Sequence, residues 1–181
     1  MNARPTDPRR LELAAFAAAA GDLTGEVPIG ALERLADLVL DVEPAGTPVH
    51  WQAEGRLRPV TGGEPEIWLH LTSQVCVSLR CQRCLQPMVE PLDIDRWIRF
   101  VRDGAEAEAL DAELEDDVLE LPRHLNLHEL IEDELLLALP LVPRHEVCPQ
   151  PLPLSSEPDA EAPERPNPFA ALERLKKKPG A

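Results

Sequence analysis

The chain has 181 residues, 44% of them hydrophobic, enough for one domain with a core or for a domain plus a tail. A formal net charge of -15 excludes binding of phosphate backbones by bulk charge. Aromatic residues make up 3% with no Tyr, which leaves little for a base-stacking platform, and no run approaches the roughly 20 apolar residues of a membrane span.

The N-terminal "RPTDPRRLELAAFAAAAG" imitates a secretory signal, with a basic start, an apolar middle and small residues after it. Glu12 interrupts the apolar run, and Leu11, Ala14, Ala15 and Ala18 keep helical spacing. Residues 1–22 are therefore expected to be a flexible or amphipathic lead-in on a cytoplasmic chain. In that compartment the four cysteines stay reduced, which argues against disulfides.

From Gly25 to Asp41, Ile29, Leu32, Leu35, Ala36, Val39 and Leu40 recur at helical steps, and Pro44, Gly46 and Pro48 close the segment. This pattern predicts a helix. Val49–Val60 reads as a strand entering a turn at "TGGEP". Glu66–Leu79, "EIWLHLTSQVCVSL", is the strongest strand, with Ile67, Leu69 and Leu71 on one face, as are Val75, Val77 and Leu79. Met88–Val101 reads as a return strand, broken early by Pro91. Two long strands joined by "LRCQRCLQP" predict an antiparallel hairpin carrying a Cys-x-x-Cys knuckle.

Charge is uneven along this part. Arg80, Arg83, Arg96, Arg99 and Arg102 face only Glu90, Asp93 and Asp95 in the same stretch, whereas thirteen acids between Asp103 and Glu134 accompany Arg123 alone. The arginines are candidates for local contact with RNA phosphates, which suit their forked donors. Ordinary cross-strand pairing with Glu90, Asp93 and Asp95 is the competing account. The acidic run at 102–121 reads as a solvated loop with at most a short helix or strand, or as a surface for a basic partner.

Leu125–His145 carries the clearest helix. Asn126 and Glu129 have capping-box spacing, Leu127, Leu130, Ile131, Leu135, Ala138 and Leu139 form an apolar stripe, and Pro140 stops it. Glu132, Asp133 and Glu134 fall on its wet face with no nucleophile or His placed to partner them, so catalytic carboxylates are not expected. Beyond Cys148 the chain turns proline-rich and acidic, a composition that predicts a disordered tail over 149–181. It closes on "PNPFAALERLKKK", the shape of a short basic docking peptide.

Cys81 and Cys84 have metal-knuckle spacing. Cys148, with His145 or Cys76, could complete four ligands for a structural zinc. Buried unlinked thiols remain open, as does thiol redox or sensor chemistry at Cys81/Cys84. The redox reading lacks the helix that usually follows such a pair and lowers its pKa.

The pieces "CQRCLQP", "LIEDELLLALPLVPRHEVC" and "PNPFAALERLKKK", in this order, resemble the large ribosomal RNA subunit accumulation family, known in bacteria as YceD. "LTGEVP" followed by "LERLADLV" is a weaker match. The resemblance implies a non-enzymatic ribosome biogenesis factor needed for large-subunit (23S) rRNA, in bacteria and chloroplasts. It also implies as partners the rRNA or its precursor particle and a basic large-subunit ribosomal protein. The matched positions are Cys81, Cys84, Cys148, His145, the turn Pro140–Pro143, the acids Glu132, Asp133 and Glu134 as part of an acidic surface for a basic ribosomal protein, and Pro166, Asn167, Pro168 and Phe169 as a partner-binding motif. Cys76 is not among them, which favours His145 or a water as the fourth ligand. The expected architecture is α+β over 23–148: an antiparallel sheet around the hairpin, packed by two or three helices.

Overall fold

A computed structural model describes residues 7–40, 48–113 and 117–149. The tail expected beyond Cys148, with its docking motif Pro166–Phe169, lies outside the described residues from 150 onward. Nine elements follow in chain order: α1 (Leu13–Ala18), β1 (Asp22–Pro28), α2 (Glu33–Ala36), β2 (Pro48–Arg58), β3 (Glu66–Arg80), β4 (Pro87–Val101), α3 (Gly104–Glu113), β5 (Asp117–Glu120) and α4 (Leu127–Ala138). The strands form one sheet in the order β1-β2-β3-β4-β5. The first four pair antiparallel, and β5 joins β4 in parallel. The class is α+β, as expected.

Alternation in β3 sets the core. Ile67, Leu69, Leu71, Val75, Val77 and Leu79 are buried on one face. Leu92, Ile94, Ile98 and Phe100 of β4 and Val49, Trp51 and Ala53 of β2 continue it. Leu127, Leu130, Ile131 and Leu135 of α4 cover that face, with Leu13 and Ala17 of α1. Full burial of one such leucine is worth about 1.5–3 kcal/mol. The Asn126 side chain accepts the His128 N–H at the start of α4, satisfying one of the N–H groups a helix start leaves free. Leu139 is extended ahead of Pro140, the conformation a following proline imposes.

Four expectations are corrected. The lead-in is part of the fold from residue 8 onward: a 3-10 turn spans Pro8–Arg10, Leu11 exchanges backbone hydrogen bonds with Leu125, and α1 packs on β2. A Cβ at Gly55 would lie 2.8 Å from the Ala17 Cα, so the small residues of α1 serve a close approach rather than a flexible leader. The helix expected over Gly25–Asp41 is instead β1, a 3-10 turn at Ile29–Ala31 and the single-turn α2. Its apolar spacing reflects Val27, Leu32 and Leu35 entering the core one after another, with β1 held by pairing to β2. Pro91 does not break β4; it stands opposite Cys76 in register. β5 reaches only Ile98–Val101, so among the described residues Pro91 sits on a sheet edge, where a missing N–H costs no ladder bond. The acidic run goes beyond a solvated loop with a short helix or strand: it carries both α3 and β5, and Ala107 and Val118 bury against Val101 of β4 in a small cluster.

Candidate metal centre

β3 ends by delivering Cys81 into full burial. The chain then reverses within a tight knuckle, where the Cys81 N–H donates to the Gln86 carbonyl (3.0 Å) and the Leu85 N–H to the Cys81 carbonyl (2.9 Å). Leu85 has φ 61°. That left-handed conformation costs a residue with a Cβ roughly 1–2 kcal/mol and persists only where the surroundings enforce it. The Gln82 N–H donates to the Pro143 carbonyl at 2.8 Å, so the turn after α4 brings residues 143–148 onto the hairpin tip.

Four ligand-type side chains meet there. One donor atom each from Cys81, Cys84, His145 and Cys148 lies within 4.8 Å of the others. The His145 Nδ1 is 3.4 Å from the Cys84 Sγ, and its Nε2 is 3.1 Å from the Pro87 carbonyl oxygen. A carbonyl only accepts, so Nε2 carries the proton and Nδ1 presents its lone pair to the cysteines. The His145 backbone N–H points at the Cys81 Sγ, 3.5 Å away. Arg83, between the two knuckle cysteines, donates from Nε to the Cys148 Sγ (3.0 Å) and from Nη2 to the carbonyls of His145 (2.8 Å) and Glu146 (3.2 Å).

The thiols are tuned in opposite directions. Burial works against ionisation of Cys81, but the N–H groups of Cys84, His145 and Arg83 outweigh it and bring its pKa down to about 5. The Gln86 N–H lowers that of Cys84, yet burial and the neighbouring sulfurs of Cys148 and Cys81 leave it raised. Crowded sulfurs resist a second negative charge until a cation arrives, and metal binding would then release a proton. Three sulfurs and one imidazole form the donor set of a closed structural zinc site. Zn–S and Zn–N bonds of about 2.3 and 2.0 Å set tetrahedral ligand separations of about 3.5–3.8 Å. The group therefore fits with contraction of at most about 1.3 Å. Cys76 is outside it: its place on the other face of β3 leaves it exposed rather than a buried thiol.

The arginines do not form a strip. Arg96 lies on the helix-covered face, with its Nε 3.6 Å from Glu134 and 3.9 Å from Asp117. Arg99 lies on the opposite face, paired with Glu66 at 3.1 Å, and Arg102 pairs with Glu64 at 3.4 Å. Residues three apart in a strand, such as Arg96 and Arg99, fall on opposite faces, and the partners come from other elements rather than from Glu90, Asp93 or Asp95. Arg83 belongs to the cysteine group. Arg80 is exposed at the end of β3.

The three acids of α4 each find a cationic partner within the fold. Glu132 is 6% exposed. Its carboxylate accepts the backbone N–H groups of Arg34 (2.7 Å) and Leu35 (3.2 Å) and the Arg34 guanidinium (2.8 Å). It thereby supplies the start of α2 with acceptors that no local side chain provides. Asp133 takes the other arm of Arg34 at 2.6 Å. Arg34 was overlooked in the sequence; the signal was an acid one residue from Ile131 on the buried side of α4, which calls for a cationic partner. The other overlooked group is on the open face of the sheet. There His70 stacks on Trp97 at 4.4 Å, and Arg58 lies 3.8 Å from the centre of the Trp68 ring. Period-two reading of β3 and β4 places Trp68 and Trp97 together.

Among the described residues no helix is long and apolar enough to cross a membrane. Residues 69–176 match the family described as large ribosomal RNA subunit accumulation protein YceD. The chain is 32% identical over 163 residues to the protein of that name from Haemophilus influenzae, covering 87% of this chain and 88% of the relative. No solved structure matches it.

Proposed function

We propose, from the premise that the chain belongs to the large ribosomal RNA subunit accumulation (YceD) family, that it is a non-enzymatic, cytoplasmic ribosome biogenesis factor. It acts in the synthesis, processing or preservation of 23S rRNA. The Cys81, Cys84, His145 and Cys148 group holds a structural zinc. The observation carrying this reading is the four protein donor atoms within 4.8 Å of one another. Structural zinc sites are closed by four protein ligands, whereas catalytic ones keep a position for water or substrate. When bound, the metal supplies a cross-link between the hairpin tip and residues 145–148 and neutralises the crowded thiolates. The protein holds Cys81 ready by its N–H donors and fixes the His145 tautomer through Pro87. A thiol redox role finds no support in this arrangement, because Cys81, the residue that would attack, is fully buried. The partners are the precursor particle of the large subunit and a basic large-subunit ribosomal protein. Of Arg80, Arg83, Arg96, Arg99 and Arg102, Arg80 is the one with no side-chain ion pair or hydrogen bond among the described residues, and it is the arginine assigned to reach phosphate.

The test measures the ratio of 23S to 16S rRNA in cells lacking the chain and in the same cells supplied with it. A fall in the ratio that the intact gene restores is expected; an unchanged ratio sinks the proposal. Metal content of untagged protein purified without chelator should be about one zinc per chain.

A further inference from the structure

We infer that Arg83 is a positioning residue of the cysteine–histidine centre, holding the Cys148 sulfur in place as the third sulfur ligand; the inference rests on the zinc reading above. Cys148 has little else to place it. Residues 141–149 bury almost nothing: Leu141, Val142 and Val147 are all exposed. The segment is attached to the tip by polar contacts, one from Gln82 to Pro143, those of the His145 N–H and ring, and three from Arg83. Apart from its crowding against the Cys84 sulfur, the Cys148 sulfur is reached among the described residues by the Arg83 Nε alone. That Nε donates to the Cys148 sulfur while Nη2 grips the two carbonyls just upstream, so one rigid fork fixes both a ligand and the backbone that carries it.

The side chain is exposed, so water screens its Coulomb attraction and geometry carries the effect. A lysine has no second arm to span a sulfur and two carbonyls. The knuckle explains how the residue is aimed. Position 83 stands between the ligands Cys81 and Cys84, and the turn that converges the two sulfurs turns Arg83 toward residues 145–148. A centre of three thiolates, one neutral imidazole and a zinc dication carries a net charge of -1, and the guanidinium places a positive charge beside the Cys148 sulfur. These donors are consequently not free for RNA, contrary to the reading of Arg83 as a phosphate contact.

The experiment is zinc competition against a chromophoric chelator on the full chain, as parent, Arg83→Gln, Arg83→Lys, Cys148→Ser and the Arg83→Gln/Cys148→Ser double variant. Iodoacetamide labelling of each zinc-loaded protein is read by peptide mass. Removal of a group that orients a metal ligand typically weakens binding 10–100-fold, and Arg83→Gln should fall in that range. Arg83→Lys should lose most of the same affinity while keeping the charge, which guards against a folding defect in the neutral variant. Cys148 should become reactive in Arg83→Gln while Cys81 and Cys84 stay protected. In the Cys148→Ser background the Arg83 change should cost nothing further, because a residue acting through another is non-additive with it. Parent-like affinity in Arg83→Gln, or an equal loss in both backgrounds, overturns the inference while leaving the zinc reading intact. A parent that holds no zinc sinks the zinc reading and the inference together.

Discussion

Leu69, near the start of β3, and Cys81, just past its end, are both at 0% exposure, but different surroundings bury them. Leu69 lies in the sheet core, among apolar residues of β2, β3 and β4. Around Cys81 there are N–H groups, two more thiols and an imidazole, and the nearby apolar residues Leu85, Val89 and Val147 are exposed at 61%, 70% and 85%. A long hairpin outruns the helices that cover its base. Where apolar surface no longer has anything to bury against, N–H donors and a sulfur–imidazole group that could hold a metal ion take over. The two regions should therefore fail independently and under different insults.

The largest effect is expected from the core. Leu69→Ala removes a fully buried side chain from close-packed surroundings and should cost about 3–5 kcal/mol in denaturant unfolding, while zinc affinity of the folded fraction stays at the parent value. Altered metal affinity would mean the two regions are one cooperative unit. Glu132→Gln tests the seam between α4 and α2. Losing the charged acceptor of two backbone N–H groups and a guanidinium should cost about 2–3 kcal/mol.

The same carboxylate makes a pH prediction. Burial alone would raise its pKa, but Arg34 and the N–H groups of Leu35 and Arg34 outweigh it, so the folded value lies below the ordinary 4.5. The folded chain then takes up this proton less readily than the unfolded chain. Its contribution is complete at neutral pH, declines as pH drops below 4.5 and is lost once pH passes below the folded value. Stability of the parent measured down through this window should fall more steeply than that of Glu132→Gln. Parallel curves would contradict the assignment.

Metal removal probes the other side of the comparison. Chelator should abolish hydrogen-exchange protection of the Gln82 and Leu85 amides while the β3 amides at the core keep theirs, the pattern of local rather than global opening. Loss of protection throughout β3 would show that the knuckle supports the whole sheet. The smallest effect is expected at the exposed tip: Val147→Thr should change stability by no more than about 0.5 kcal/mol.

Several of these features were legible in the sequence because they are written in local periods. Alternation from Ile67 to Leu79 gives β3 its buried face, Asn126 and the stripe Leu127–Leu135 give α4, and the Cys-x-x-Cys spacing gives the knuckle. The helical spacing of Ile29, Leu32, Leu35 and Ala36 hides β1, because only the stretch before them, Asp22–Pro28, pairs along the edge of β2. α1 was missed because its fit depends on Gly55, far along the chain, having no Cβ. Pro91 reads as a break in the sequence, but β5 pairs only with Ile98–Val101, so among the described residues that side of β4 has no partner at Pro91.

By itself, then, the sequence determined which residues had to leave water and which side chains had the chemistry to meet at a metal, since hydrophobicity and ligand type belong to each residue. Only the tertiary structure decided pairing: that Glu132 serves Arg34 and Leu35 rather than a partner, that Arg96 and Arg99 part to opposite faces, that His145 joins the three cysteines while Cys76 does not, and that Arg83 turns inward to Cys148. Hydrogen bonds and ion pairs act over about 3–4 Å, and which groups come that close is set by chain reversals whose two sides lie tens of residues apart.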